Sequence, residues 1–576
     1  MTAQPDIRLR PVAGEADQLP ADLHPVLRRV LLSRGLVSAD ELDLSLQRLA
    51  PPDTLGGITA AAELLADAIQ ENASITVVGD FDADGATGTA LALRALRDMG
   101  AMKVGFRVPN RFEFGYGLTE GLVNSLGADL PDLLLTVDSG IACLGGVARA
   151  RALGARVVIT DHHLPGPHLP VANAIVNPNL PGDAFPSKSL AGVGVMFYLL
   201  SVLRRVLKQR GWFRGGRPEP RLDRYLDLVA LGTVADLVPL DHNNRVLVRQ
   251  GLDRIRAGRG SPGLMALLRA GKRDYRHVVA ADLGFAVGPR LNAAGRLEDM
   301  GIGIRCLLAE DPVAATDLAQ TLDELNRERR VMQAQMQEQA ALKVEQVLSS
   351  LALDALPFSV CLHDPQWHQG IVGLVASKIK DQLHRPVVAF APEEPGSPRL
   401  KGSARSIRGL HIRDVLARVD ATHPGLILAF GGHAMAAGLS LEAARLEEFS
   451  QAFETSVAQF LDGDMPSARI QTDGEVGAAD LGLPLARQIR DLGPWGQRFP
   501  EPLFEGSFEL LEQRVVGGAH LKMVVRAPGG AALDAIAFGR LPEQLQDSGS
   551  LRLLYRLDVN HFRGEENVQL IVERMV

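Results

Sequence analysis

Acids and histidines gather at the ends of three short apolar runs. Ile75-Thr76-Val77-Val78-Gly79 leads into Asp80, Leu133-Leu134-Leu135-Thr136-Val137 into Asp138, and Arg156-Val157-Val158-Ile159-Thr160 into Asp161-His162-His163. Carboxylates with neutral imidazoles suit a divalent cation of the manganese or magnesium kind, whereas zinc more often recruits cysteine. Cations so held point to hydrolysis at phosphorus. The first cluster continues as Gly79-Asp80-Phe81-Asp82-Ala83-Asp84-Gly85, in which Asp80, Asp82 and Asp84 alternate and so aim toward one side.

The elements that must position these groups follow from the same runs. Parallel strands buried under helices read as continuous apolar stretches, and ligands of an open α/β sheet sit beyond the strands' carboxyl ends. From Ala60 to about Val248 such runs alternate with helical patterns: Ala61 to Ile69, strand 75–79, Thr87 to Met99, strand 103–108, Thr119 to Leu126. This alternation implies a parallel sheet. The Asp-Ala-Asp-Gly loop by itself has two further readings, the phosphorylated-aspartate loop of haloacid-dehalogenase-type phosphatases and an acidic turn capping the next helix. The clusters at Asp138 and at Asp161-His162-His163 favour the metal reading, with Asp161 placed to orient an imidazole.

Between Pro312 and Pro357 there is neither glycine nor proline, and Leu318, Leu322, Leu325, Met332 and Met336 recur at helical spacing, which predicts one long connecting helix. Phe358 to Leu362, Pro386 to Phe390, and Gly425 to Phe430 running into a glycine turn predict a second, smaller α/β domain. The tail from about Ser467 has short alternating segments, Leu551 to Leu557 and Val568 to Val572 among them, that suit a small β-barrel. The proline-interrupted stretch to residue 55, with helical patterns at Leu27 to Leu32 and Glu41 to Leu46, reads as a lead-in to the core. Leu203 to Arg221, rich in arginine around Trp212 and Phe213, reads as a basic surface insert.

Composition sets outer limits. A chain of 576 residues with 46% hydrophobic and 22% charged residues is large enough for two to four packed domains and is not of the disordered class. Its formal net charge of -7 does not exclude a nucleic-acid partner, because an acidic metal centre adds negative charge that bound cations offset. Three scattered cysteines, Cys143, Cys306 and Cys361, argue against a disulfide framework or a zinc knuckle. With no basic-then-apolar leader and no apolar stretch of the roughly 18 residues that span a bilayer, a cytoplasmic location without membrane partners is expected.

Asp161-His162-His163, the Gly79 to Gly85 loop, Gly232-Thr233-Val234-Ala235-Asp236-Leu237-Val238-Pro239-Leu240 and Gly288-Pro289-Arg290-Leu291-Asn292-Ala293-Ala294-Gly295-Arg296 resemble the DHH phosphoesterase superfamily, and within it the long bacterial single-strand-specific exonucleases. The resemblance implies that Asp82, Asp84, Asp138, His162 and Asp236 ligate two Mn²⁺ or Mg²⁺ ions, with Asp80 and His163 completing the catalytic set. Asp138 is the implied bridge, in keeping with the need of two cations about 3.5–4 Å apart for a shared anion. Whether His162 or His163 meets metal stays open. Arg290, Asn292 and Arg296 are implied to grip phosphates. Ala429 to Gly438 resembles the signature of the DHHA1 module, where Gly431, Gly432 and His433 make an anion-friendly turn. In the resembled enzymes Ser403 and Arg405 correspond to residues holding a 5′ phosphate; Arg111 is expected to assist, and Tyr116 reads as a base-stacking platform or, alternatively, a buried core aromatic. Trp367 to Gly373 matches a further family segment read as mostly structural.

The implied fold class is α/β: a lead-in at 1–55, a parallel-sheet DHH catalytic domain at 56–310, a connecting helix at 311–350, a DHHA1 domain at 351–464, and an OB-fold-like single-strand-binding domain at 465–576. In the last, Lys522, Arg526 and Arg563 are candidate DNA contacts. The implied activity is 5′-to-3′ hydrolysis of single-stranded DNA to mononucleotides in recombination and repair. Implied partners are DNA with a 5′ end, single-stranded-DNA-binding protein and a RecQ-type helicase. The alternatives are a small-substrate DHH hydrolase acting on oligoribonucleotides or adenosine bisphosphate, whose chain would lack the OB-like tail, and a non-catalytic replication scaffold, which the intact ligand set disfavours.

Overall fold

The computed structural model describes residues 6–12, 18–109, 116–349, 357–461, 469–540, 550–562 and 564–575, except the side chains of 343–349 and 562. The chain divides into two compact units, Leu9–Asp323 with Gln471–Val576, and Met1–Arg8 with Glu324–Ile470.

The first unit is built on five parallel strands in the spatial order Val104–Arg107, Ile75–Val78, Leu133–Val137, Arg156–Thr160, Ala174–Val176. The chain leaves Ile75–Val78 to one side and returns to Leu133–Val137 on the other, so the sheet's topological switch point lies between these two strands. Loops departing there diverge and leave a crevice at the carboxyl ends. Every residue of Leu133–Val137 is buried, as its unbroken apolar run predicts. Register brings the tips level: Val78 pairs with Thr136, and Val137 with Thr160.

The helix after the first strand spans Ala83–Asp98, four residues earlier than its apolar periodicity predicts. Asp82 is its N-cap, accepting hydrogen bonds from the amides of Asp84 and Gly85 at 2.9 and 3.0 Å. The acidic loop is thus the helix's own first turn. Helix and sheet pack closely here, for a Cβ at Gly88 would lie 2.4 Å from Val137 Cγ1.

Residues 504–575 close a five-stranded barrel, Phe504–Val516, His520–Arg526, Ala532–Ala537, Glu565–Met575, Ser550–Phe562 and back to the first. The N-terminal stretch is more than a lead-in. Val26, Leu27 and Val30 share one core with Phe504, Phe508 and Tyr555 of the barrel. Arg34 forks onto Asp473 with bonds of 2.7 and 3.0 Å, and this pair is buried, with side-chain exposures of 1% and 0%. Glu41 to Leu46 is not a helix; short 3₁₀ turns occupy Ala39–Leu42 and Leu46–Arg48. Nor is the arginine-rich insert a free basic surface. Arg210 pairs with Asp67, Lys208 with Glu219 and Arg221 with Asp223, Arg217 lies over Trp212, and the Trp212 indole donates to the Met99 carbonyl.

The long helix spans Pro312–Ser349, and the division between units falls inside it. The second unit carries a mixed sheet in the order Ala429–Gly432, Ala436–Glu442, Arg399–Arg405, Val387–Pro392, Val360–His363, in which the last two strands are parallel and the rest antiparallel. The expected glycine turn is a hairpin: Gly431 pairs with Gly438, and His433 to Met435 form the tip. Phe390, Phe449 and Phe453 anchor the core. The three cysteines are free, Cys306 buried and the others partly so.

Asp473→Ala strips a buried cation of its partner and should destabilise the barrel by about 3–5 kcal/mol. A lowered urea midpoint in the fluorescence of Trp495, which packs against the barrel core, checks this, and Arg34→Met in the same chain should recover part of the loss.

Candidate metal centre

Each cluster is held by its own local chemistry. Asp80 is buried, and its Oδ1 accepts from the Phe81 amide at 2.7 Å. Gly85 is needed opposite it, since a Cβ there would stand 2.6 Å from the Asp80 amide nitrogen. Asp84 is fixed from across the fold by the amides of Gly192 and Val193, at 2.6 and 2.9 Å. Asp138 adopts a left-handed backbone, φ 58°, and a Cβ at Gly192 would approach its Cα to 2.9 Å. Asp161 faces inward and organises both histidines: its Oδ1 accepts from the amides of His162 and His163 at 2.7 and 3.0 Å and lies 2.7 Å from His163 Nδ1. Asn179 and Asn177 donate to the carbonyls of His162 and His163.

The groups converge at the switch point. His162 Nε2 lies 3.0 Å from Asp138 Oδ1 and 3.5 Å from Asp236 Oδ2. Asp236 caps the Leu226–Ala235 helix, with its amide on the Gly232 carbonyl at 2.9 Å. Two disjoint triads, Asp80 with Asp82 and Asp138, and Asp84 with His162 and Asp236, each bring ligand atoms within 4.8 Å of one another. A third grouping, Asp138 with His162 and His163, joins them.

Electrostatics make this crevice costly without cations. Burial, then repulsion from Asp82, pushes the Asp84 carboxyl up to about 7. Burial and the neighbouring aspartates raise Asp138 and Asp236 well above the usual carboxylate range. His163 is raised although burial alone would lower it, because it hydrogen-bonds the Asp161 carboxylate. Asp138 Oδ1 is buried, and among the described residues no group donates a well-formed hydrogen bond to it, although His162 Nε2 lies 3.0 Å away. An oxygen-rich donor set with a buried unsatisfied carboxylate oxygen fits hard divalent cations.

The other predicted residues fall in several places. The Tyr116 hydroxyl donates to the Asp138 carbonyl at 2.9 Å, and its ring meets Phe81 and His163 edge to face, leaving the residue 41% exposed. Arg111 and Arg563 lie outside the described residues. Arg290, Asn292 and Arg296 stand on a helix, Gly288–Leu297, rather than a loop. Asn292 Oδ1 accepts from the Ala83 amide at 2.7 Å and so steadies the acidic turn. Arg290 is engaged by Asp323 at 2.7 Å and donates to the Ala286 carbonyl. A Cβ at Gly295 would strike the Phe81 carbonyl at 1.8 Å. Ser403, Arg405, Gly431, Gly432 and His433 belong to the second unit. There Arg405 donates to Ser403 Oγ at 2.7 Å and Ser377 Oγ at 3.2 Å, and among the described residues no carboxylate pairs with it. Gly192 was missed: its small neighbours in Ala191-Gly192-Val193-Gly194 signal close packing, but nothing local ties them to Asp84 or Asp138.

A parallel sheet with carboxylates and imidazoles at its switch point, followed by a second small sheet, defines a DHH-type protein. Residues 74–233 match the DHH family N-terminal domain, 350–459 the DHHA1 domain, and 472–574 the RecJ OB domain. The single-stranded-DNA-specific exonuclease RecJ of Dickeya dadantii is 52% identical over 580 residues, covering 100% of both chains. Its counterpart from Escherichia coli is 50% identical, again over 100% of both. The crystal structure of RecJ from Thermus thermophilus in complex with Mn²⁺ superposes with a TM-score of 0.78 at 30% identity, covering 99% of this chain and 79% of that one. The same Thermus protein has also been solved with Mg²⁺. The chain belongs to the RecJ family of single-stranded-DNA-specific exonucleases.

Gly192→Ala forces a Cβ against Asp138 and disturbs the amide that holds Asp84. Mn²⁺ affinity in titration calorimetry should fall roughly 10–100-fold, with the far-ultraviolet circular dichroism unchanged.

Proposed function

We propose that this chain hydrolyses single-stranded DNA from its 5′ end to 5′-mononucleotides, with two Mn²⁺ or Mg²⁺ ions held by Asp82, Asp84, Asp138, His162 and Asp236, beside Asp80 and His163. The observation that carries the reading is the pair of disjoint triads meeting at Asp138 and His162. When bound, such ions polarise a phosphoryl group and lower the pKa of water. Asp138, a member of one triad whose Oδ1 stands 3.0 Å from His162 Nε2 of the other, would be the ligand shared by the two ions. His162 is the ligating histidine, because its Nε2 faces two carboxylates, whereas His163 Nδ1 is committed to Asp161. His163 then has Nε2 for a proton at the leaving oxygen. Asp161 orients, and Tyr116 fixes the Asp138 backbone while offering a ring edge to the strand.

Arg405 supports capture of a 5′ phosphate: burial lowers its pKa, and its neighbours are neutral hydroxyls rather than acids. Gly431, Gly432 and His433 at the adjoining hairpin, with Arg111, Arg290 and Arg296, complete the proposed substrate contacts, and Asn292 acts through the acidic turn. The boundaries proposed are a DHH catalytic domain at 56–310, a connecting helix at 311–350, a DHHA1 domain at 351–464 and an OB-like domain at 465–576. Among the described residues no helix is long and apolar enough to cross a membrane. A cytoplasmic site of action alongside single-stranded-DNA-binding protein and a RecQ-type helicase is consistent with this substrate. Full-length likeness to exonucleases, barrel included, disfavours the small-substrate and scaffold readings.

Asp138→Ala should abolish release of mononucleotides from long single strands in Mn²⁺ while single-strand binding stays measurable; full activity in this variant would sink the assignment. Long single strands, duplex DNA and RNA dinucleotides, digested in parallel, separate the exonuclease from the small-substrate hydrolase. Arg405→Ala should raise KM for a 5′-phosphorylated oligonucleotide roughly tenfold and narrow its advantage over the 5′-hydroxyl form.

A further inference from the structure

Two large apolar side chains are exposed on elements that meet at the end of the helix capped by Asp236. Leu237 is 67% exposed and Phe285 80% exposed. Leu237 directly follows Asp236 and has φ 58°, the left-handed conformation in which a helix end ordinarily places glycine. Phe285 sits in a π-helical turn, Leu283–Val287, that buries Leu283, Ala286 and Val287 and leaves its largest residue outside. Such turns recur at functional sites. This one is pressed against the end of the Leu226–Ala235 helix: a Cβ at Gly284 would lie 3.2 Å from Val234 Cγ1, and one at Gly288 3.3 Å from Ala235 Cβ. The turn is braced from behind, because Arg290 donates to the Ala286 carbonyl at 2.5 Å while Asp323 holds its guanidinium. Leu237 and Phe285 are thus carried on two elements that meet at the helix end bearing Asp236.

We infer that Phe285 and Leu237 form a nucleobase-stacking subsite for the strand being cut. This rests on the exonuclease reading above. An aromatic face and an aliphatic neighbour accept any base, as an enzyme without sequence preference requires, and an unstacked single strand offers base faces that a duplex hides. The cost of a left-handed leucine and an exposed phenylalanine is then matched by a ligand that covers both.

The test is fluorescence anisotropy of a 5′-phosphorylated oligonucleotide on the full chain, with Ca²⁺ replacing Mn²⁺ to prevent cleavage. Phe285→Ala should raise Kd by about 5- to 150-fold, the range for one stacked base, and Phe285→Trp should restore binding. Leu237→Gly removes backbone strain, so its Tm should hold or rise while its Kd also rises; a merely structural leucine would move Tm alone. In a scan of single abasic substitutions, one position should abolish the penalty of Phe285→Ala. Unchanged Kd in both variants, a penalty that persists at every abasic position, or a self-association lost in Phe285→Ala with DNA affinity intact would each overturn the inference. Cleavage by the unmodified protein in Mn²⁺ is measured alongside, so a failed exonuclease reading shows as no mononucleotide release and a failed stacking subsite as equal Kd values.

Discussion

Mutual repulsion among buried carboxylates is the constraint around which the first unit is arranged. Asp80, Asp84 and Asp138 are nearly inaccessible to water, and Asp82 and Asp236 stand beside them. Solvent cannot screen these charges, so the site needs cations or protons. The scaffold meets this demand with rigidity: two amides from the Gly192 turn grip Asp84, three donors converge on Asp161 Oδ1, and Asn292 pins the acidic turn. A preorganised array of this kind confines ions in a fixed relation to one another, which phosphoryl transfer requires.

The sheet's topology explains why these residues can meet at all. Strand tips level with one another at a switch point provide a crevice without any residue having to bend the backbone toward it. Asp138 is the exception, with a left-handed φ of 58° just past the strand end. Glycines at 85, 192 and 295 then let neighbouring backbone come closer than any side chain would allow.

Much of this was legible in the chain. The runs ending in Asp80, Asp138 and Asp161 reveal both the strands and the acids and histidines clustered beyond them, because continuous burial and the chemistry just past it are local properties. Asp236 was legible only through resemblance, since an acid at a helix end is ordinary until the fold brings His162 to it. The pairing of Arg290 with Asp323 was out of reach because the two are remote in sequence, and the same distance hid the bracing of the π turn. The pairing of Arg34 with Asp473 lay beyond reach for the same reason, being separated by 439 positions.

That last pairing bears on how the protein is made. Val26, Leu27 and Val30 leave the ribosome early, yet the aromatic residues that cover them, Phe504, Phe508 and Tyr555, are translated near the end. Domains generally mature as units from the N-terminus onward during synthesis. By that order the Pro25–Leu32 helix would wait for its barrel partners until after the parallel sheet has been made. A nascent chain that has not reached residue 504 therefore lacks the barrel partners that bury Val26, Leu27 and Val30.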